Sequence, residues 1–263
     1  MNKKTKLWLI VAASFILIGS IIFAAVMSAL KWDFRKLSTF NYERNEHRIS
    51  GEYTNVSVRT MNADVAFLPY DGGKTIVVCY EREDMTHNVY VNDGTLYIEL
   101  KDDIRWYEMI GINFDSESIT VYLPEREYGK ITVKSSTSDL SLKNLNIEAL
   151  DISLTTGDVE MSSIKAKSDV NIKVTTGDIE LKSVIAEGDL YLKSSTGDIE
   201  LSGCDASSLD IKTTTGDLEG SLLSSKVFIA KATTGSIKVP ESVSGGICRI
   251  TTTTGDIEIS YVS

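Results

Sequence analysis

Carboxylates recur along the second half of this chain at a spacing that would stack them. Asp158, Asp178, Asp198, Asp217 and Asp256 each follow a glycine, and Glu160, Glu180, Glu200, Glu219 and Glu258 stand two positions further on. Brought about 5 Å apart, like charges repel, and a divalent cation such as Ca²⁺ would bridge them. The plainer reading is a turn-capping Asp column beside a solvated Glu column, each Asp serving backbone donors of its own repeat. Lys173, Lys193, Lys212 and Lys231 lie near enough in sequence to relieve the repulsion without a metal. Calcium-binding β-rolls need a glycine-rich repeat of nonapeptide length, which is absent here, so no metal ligand is assigned. Thr156, Thr176, Thr196, Thr215, Thr234 and Thr254 would form a hydroxyl ladder. A flat crystalline ligand could meet such a ladder, but β-branched fit and cross-strand bonding explain it more simply.

Other chemistry finds little to work with. The only histidines are His47 and His87, read as lying in a stalk and a loop, so a nucleophile in the repeats has no base beside it. Carboxylate pairs that recur in every repeat do not single out one active site. Cys79, Cys204 and Cys248 are an odd number at wide spacing, neither a disulfide framework nor a metal motif, and read as small buried hydrophobes. The expectation is a protein that is not an enzyme, with no catalytic residue, no cofactor and no metal.

The columns presuppose an element that repeats. Ser136-Thr137-Ser138-Asp139-Leu140 returns as Thr155-Thr156-Gly157-Asp158-Val159 and at five further places, with the glycine position advancing by 19, 20, 20, 19, 19 and 20 residues. A fixed period this short means one unit stacked on itself. Within each unit apolar residues alternate, as at Ile152 and Leu154 and again at Val159 and Met161. Period two is the strand signature. Equivalent positions then stack at about 4.8 Å, aliphatic on aliphatic, with glycine supplying the corner. A third ladder reads Ile164, Val184, Cys204 and Leu223, and the small residues Ala166, Ala186, Ala206 and Ser225 two positions later mark a second corner. The fold class is therefore all-β: a parallel β-solenoid of about 20-residue rungs. Residues 257–263 would be its last rung.

Residues 51–135 are less regular but strand-rich, with a divergent first rung in which Ala63-Asp64 replaces Gly-Asp and a hairpin at Asn92-Asp93-Gly94. They read as a β-rich cap on regular repeats spanning 136–263. Residues 31–50 read as a stalk. Leu7 to Leu30 is an uncharged apolar run. As a helix it would extend about 36 Å, enough to span a bilayer core of about 30 Å. Lys3, Lys4 and Lys6 favour an N-terminus inside and the remainder outside, although Lys31, Arg35 and Lys36 follow the run. The 263 residues carry a net charge of −10, which argues against nucleic acid and anionic lipid as partners of the β region.

These motifs resemble the bacterial "putative adhesin" family, whose members include LiaG-like membrane-anchored proteins of the Gram-positive envelope. The likeness rests on the Asp-Gly hairpin before Thr95-Leu96-Tyr97-Ile98, on Ile119-Thr120-Val121-Tyr122-Leu123-Pro124, and on the serial Thr-Thr-Gly-Asp-Ile-Glu units. It covers roughly residues 50–263 and the layout of the apolar run. The resemblance implies an envelope protein with no catalytic residues to transfer. The functional expectation is a membrane-anchored, non-catalytic rod for envelope or signalling partners. A self-assembling scaffold is the alternative, and a polysaccharide-active enzyme a more distant one.

Overall fold

The computed structural model describes residues 2–37, 40–101 and 116–262. Lys3–Ala29 is a single α-helix of 27 residues. It is long and apolar enough to cross a membrane. Ser14 returns its hydroxyl to the Ile10 carbonyl at 2.8 Å, so this polar side chain is satisfied by its own helix. The helix stops where Lys31 and Trp32 turn to positive φ and the Trp32 N–H donates to the Met27 carbonyl.

Tyr42–Ile104 and Glu117–Ser263 form a separate compact unit that is mostly β and β-solenoid-like. Its alternating residues bury one face of every strand. Val159, Ile179 and Ile199 lie opposite one another in parallel ladders, as do Met161, Leu181 and Leu201, and all six are buried. Ile152, Ile172, Leu192 and Ile211 form a second buried strip in the same way. Ile164 pairs with Val184, but Cys204 pairs with Leu222 rather than Leu223. The register shifts between Leu201 and Cys204, three steps facing two from Gly220 to Leu222, so Leu222 goes inside and Leu223 faces outward.

The Gly-Asp corner is fixed by close approach. Gly177 has φ +142°, and a Cβ there would lie 2.1 Å from the Gly157 carbonyl oxygen of the neighbouring repeat. No side chain fits between backbones stacked that tightly. A second corner falls at Asn144, Ser163, Ser183 and Gly203, with φ between 53° and 61°. Ala166, Ala186 and Ala206 are buried; Ala166 ends its strand, and the register shifts between Ala186 and Asp189.

The order of strands departs from chain order at both ends. Gly246–Thr254 lies between Ile199–Lys212 and Lys226–Thr234, and Ile257–Tyr261 lies between Leu218–Leu222 and Ile237–Lys238. Among the described residues the last layer is therefore 226–238 and not the expected 257–263. Ile250 and Ile257 are fully buried and need cover on both sides, whereas Ile229 and Ile237 are nearly half exposed. At the other end Asn55–Arg59 and Asp64–Tyr70 are likewise inserted, between residues 95–100 and 118–124 on one side and residues 131–134 and 140–142 on the other.

Beyond that first layer the pairing turns antiparallel. His87–Asn92 and Thr95–Leu100 make the expected hairpin about Asp93 and Gly94, whose positive φ values of 45° and 71° suit a two-residue turn. Ile76–Arg82 runs between Ser118–Pro124 and Tyr42–Arg48. The stretch read as a stalk over 31–50 thus contains a sheet strand. His47 lies in that strand, and His87 opens another rather than sitting in a loop.

Candidate functional site

Two places gather the chemistry: the exposed face of the repeats and a buried cluster in the antiparallel region. On the exposed face the Asp column is a hydrogen-bond ladder. The Asp158, Asp178, Asp198, Asp217 and Asp256 amides donate to Oδ1 of Asp139, Asp158, Asp178, Asp198 and Asp217, at 2.7–2.9 Å. Asp139 in turn donates to Asp64, which starts the series. Each carboxylate thus serves a donor in the next layer, not its own repeat as the sequence suggested. Charge-assisted bonds of this kind hold a carboxylate without a metal. Ser236 ends the series, donating both its amide and its hydroxyl to Asp256, and these bonds hold the Asp256 carboxyl below the usual range.

Beside this ladder Thr156, Thr176, Thr196, Thr215, Thr254 and Thr234 stack in order, all exposed. The Glu column follows one step beyond the buried strip, with Lys143 against Glu160 at 3.3 Å and Lys238 against Glu258 at 3.1 Å. Among the described residues, no ion pair joins the lysine column to it. Lys212 pairs with Asp210 at 2.8 Å, and Lys173 and Lys212 lie over the Tyr191 ring at 5.6 and 5.4 Å. The face offers hydroxyls and carboxylates in straight rows.

The buried cluster comes from strand alternation. In Ile76–Arg82 the residues Val77, Cys79 and Glu81 point inward. Glu81 is 1 % exposed and His87 4 %. His87 Nδ1 lies 2.7 Å from Glu81 Oε2, and the His87 backbone N–H donates to the same oxygen at 2.7 Å. Asn45 donates to Glu81 Oε1 at 2.9 Å, and His87 Nε2 lies 3.0 Å from the Thr60 hydroxyl. Burial would raise the Glu81 carboxyl, but His87 and Asn45 hold it below the usual carboxylate range. Cys79, fully buried, has its thiol pushed up to about 12 by burial and by Glu81. Glu117 is 2 % exposed, and neither of its carboxylate oxygens has a hydrogen-bond partner. Burial lifts its carboxyl above the ordinary range against the pull of Asn62, Arg82 and His87. Arg82, also buried, makes two hydrogen bonds to Asp84, at 2.9 and 2.5 Å.

The three cysteines are buried and unpaired, as expected. The sequence reading missed the Cys79–Glu81–His87 cluster; the alternation Val77-Cys79-Glu81, which sends a carboxylate inward, was its one available signal.

The Toastrack DUF4097 profile matches residues 53–263. The chain belongs to the Toastrack DUF4097 family. No curated protein matches the sequence. Among solved structures, a "putative adhesin" from Bacteroides fragilis is similar over 84 % of this chain and 97 % of its own, at 18 % identity and TM-score 0.58. A "putative cell adhesion protein" from Clostridium sporogenes covers 84 % of this chain and 100 % of its own, at 12 % identity and TM-score 0.44. The first likeness supports the fold of the Toastrack unit; function is not transferred through either.

Proposed function

We propose that this Toastrack protein is a non-catalytic, single-pass membrane protein whose β unit is a parallel solenoid of about 20-residue rungs held outside the membrane. There it meets a partner of the cell envelope, either a signalling protein or a wall component, in an adhesin-like or envelope-stress role. Residues 1–6 lie inside, 7–30 span the bilayer, and the repeats from 136 onward supply the binding face. The observation that carries this reading is the exposed face itself. Its Asp ladder is satisfied by successive backbone amides, which leaves straight rows of Thr and Glu side chains toward solvent. Straight rows of short polar groups on a stiff backbone suit recognition of another ordered surface more than turnover of a small substrate.

Protease added to intact cells stripped of wall should digest the β unit and spare the N-terminal helix; full protection overturns the outward orientation. A photo-crosslinker at Thr176 should trap one discrete envelope partner, and diffuse labelling speaks against a binding face there. The second reading, a self-assembling scaffold, is favoured by one observation. Among the described residues, Lys226–Thr234 and Ile237–Lys238 pair on one side only and leave Ile229 and Ile237 exposed. Light scattering on the detergent-solubilised chain separates the two readings: concentration-dependent rods favour the scaffold, monomers the display role.

A further inference from the structure

We propose that Cys79, Glu81 and His87 form a binding site for one divalent metal ion of borderline softness, with zinc the expected occupant, and that Glu117 is its fourth donor. The Cys79, Glu81 and His87 donor atoms lie within 4.8 Å of one another, and all three residues are buried. A zinc centre takes Cys, His and carboxylate donors at about 2.0–2.3 Å. The Glu81–His87 contact of 2.7 Å opens by roughly 1 Å or less to admit the ion between them. A mixed thiol, imidazole and carboxylate set suits zinc, whereas Ca²⁺ and Mg²⁺ take oxygen ligands.

The unpartnered Glu117 is the second, independent pointer. Ser118–Pro124 pairs antiparallel with Ile76–Arg82, Tyr80 opposite Ser118 and Cys79 opposite Ile119. One step further along that ladder sets Glu117 opposite Glu81, on the face that buries Cys79. Two carboxylates facing each other out of water favour a positive charge between them, and the pull of Arg82, which also binds Asp84, and of His87 leaves the Glu117 carboxyl still raised by burial. The Glu117 carboxylate stands outside the 4.8 Å group, so its part as fourth donor requires it to move toward the ion.

The surroundings already orient the donors as outer-shell partners do in metal sites. Thr60 holds His87 Nε2, which turns Nδ1 toward Glu81, and Asn45 holds Glu81 Oε1, which leaves Oε2 toward His87. On binding, the Cys79 S–H bond is replaced by a sulfur–metal bond and the proton leaves to solvent. The ion would tie the inner antiparallel strand, the His87 strand and the start of Ser118–Pro124 to one point.

The test is a cobalt titration of the full-length chain in detergent after chelator treatment. One equivalent of Co²⁺ should produce a thiolate-to-cobalt charge-transfer band, which Zn²⁺ abolishes by displacement. Cys204→Ser and Cys248→Ser should retain the band and Cys79→Ser should lose it, with far-ultraviolet circular dichroism checking the fold of each. Glu117→Gln should weaken the apparent zinc affinity tenfold or more; unchanged affinity overturns its assignment as fourth donor. X-ray absorption of the zinc-loaded wild-type chain needs no variant to fold, and should find one sulfur at about 2.3 Å with the other scatterers nitrogen or oxygen. A folded wild-type chain without the charge-transfer band, or zinc without a sulfur neighbour, leaves the cluster a hydrogen-bonded ion pair and overturns the proposal.

Discussion

The regular layers from Leu140 to Leu222 and the region from Tyr42 to Thr137 share one core, yet what they bury differs. Between Leu140 and Leu222 the inward positions are apolar, with only Ser194 and Thr213 polar and buried. Those two hydroxyls answer glycine carbonyls, Ser194 to Gly177 at 3.3 Å and Thr213 to Gly197 at 3.4 Å. The antiparallel region buries Glu81, Arg82, His87 and Glu117. At the opposite end Lys226 is buried against Asp205 at 2.7 Å. A layer with a copy of itself on both sides finds partners by translation, so its interior needs no charge. At the ends translation fails, and antiparallel pairing, ion pairs and polar clusters take over.

The sharpest way to break this contrast is to place a charge where translation rules. Ile179→Asp puts an unpaired carboxylate between Val159 and Ile199, and should cost about 4 kcal/mol or more. Urea denaturation that finds less than about half of this would mean the inward phase is misassigned.

The glycines sharpen the comparison next. Gly177→Ala forces a Cβ to within 2.1 Å of a neighbouring backbone oxygen at φ +142°, and should cost about 3 kcal/mol. Gly94→Ala in the hairpin meets nothing within 4 Å, so only its positive φ of 71° is strained, and should cost about 1 kcal/mol. Equal melting temperatures for the two variants would deny that stacking, rather than turn conformation, selects the corner glycine.

This difference also explains what could be read from the chain alone. The Gly-Asp corner was legible because stacking demands the same residue at the same place in every copy. The second corner was hidden, since Asn144, Ser163, Ser183 and Gly203 reach similar positive φ with three residue types. The inserted layers were hidden too, except for one mark: Thr233-Thr234-Gly235-Ser236 carries Ser where other copies carry Asp. Among the described residues no further amide approaches this outermost layer, so a carboxylate acceptor has nothing to serve there. The buried cluster has no period at all. Its donors come from Cys79, Glu81, His87 and Glu117, brought together by antiparallel pairing that a sequence pattern does not announce.

The end ion pair predicts a pH dependence. Burial opposes ionisation of Asp205, but Lys226 and Ser224 hold its carboxyl below the ordinary range. A depressed folded value means the stabilisation is present above the unfolded value of about 4 and is lost as pH falls through the lower folded one. Asp205→Asn should therefore cost about 2 kcal/mol at pH 7, leaving the Lys226 ammonium underpaired, and the gap from wild type should shrink below about pH 4. A gap that stays constant into acid would remove the ion pair as its cause.

The smallest effect belongs to the outward face, where the contrast requires near indifference. Glu180 stands between Glu160 and Glu200 in the exposed column. Glu180→Lys replaces two repulsions between solvated carboxylates by two attractions, each screened by water and salt. Stability should change by about 0.5 kcal/mol or less, with any gain fading as salt is added. The same reasoning makes Ca²⁺ no better than Mg²⁺ at raising the melting temperature, because the neighbouring Asp oxygens already accept backbone amides. A rise of several degrees with Ca²⁺ alone, lost in Asp178→Asn with Asp198→Asn, would show the columns to be a cation ladder. It would turn the exposed face into one that captures anionic polymers through bridging ions.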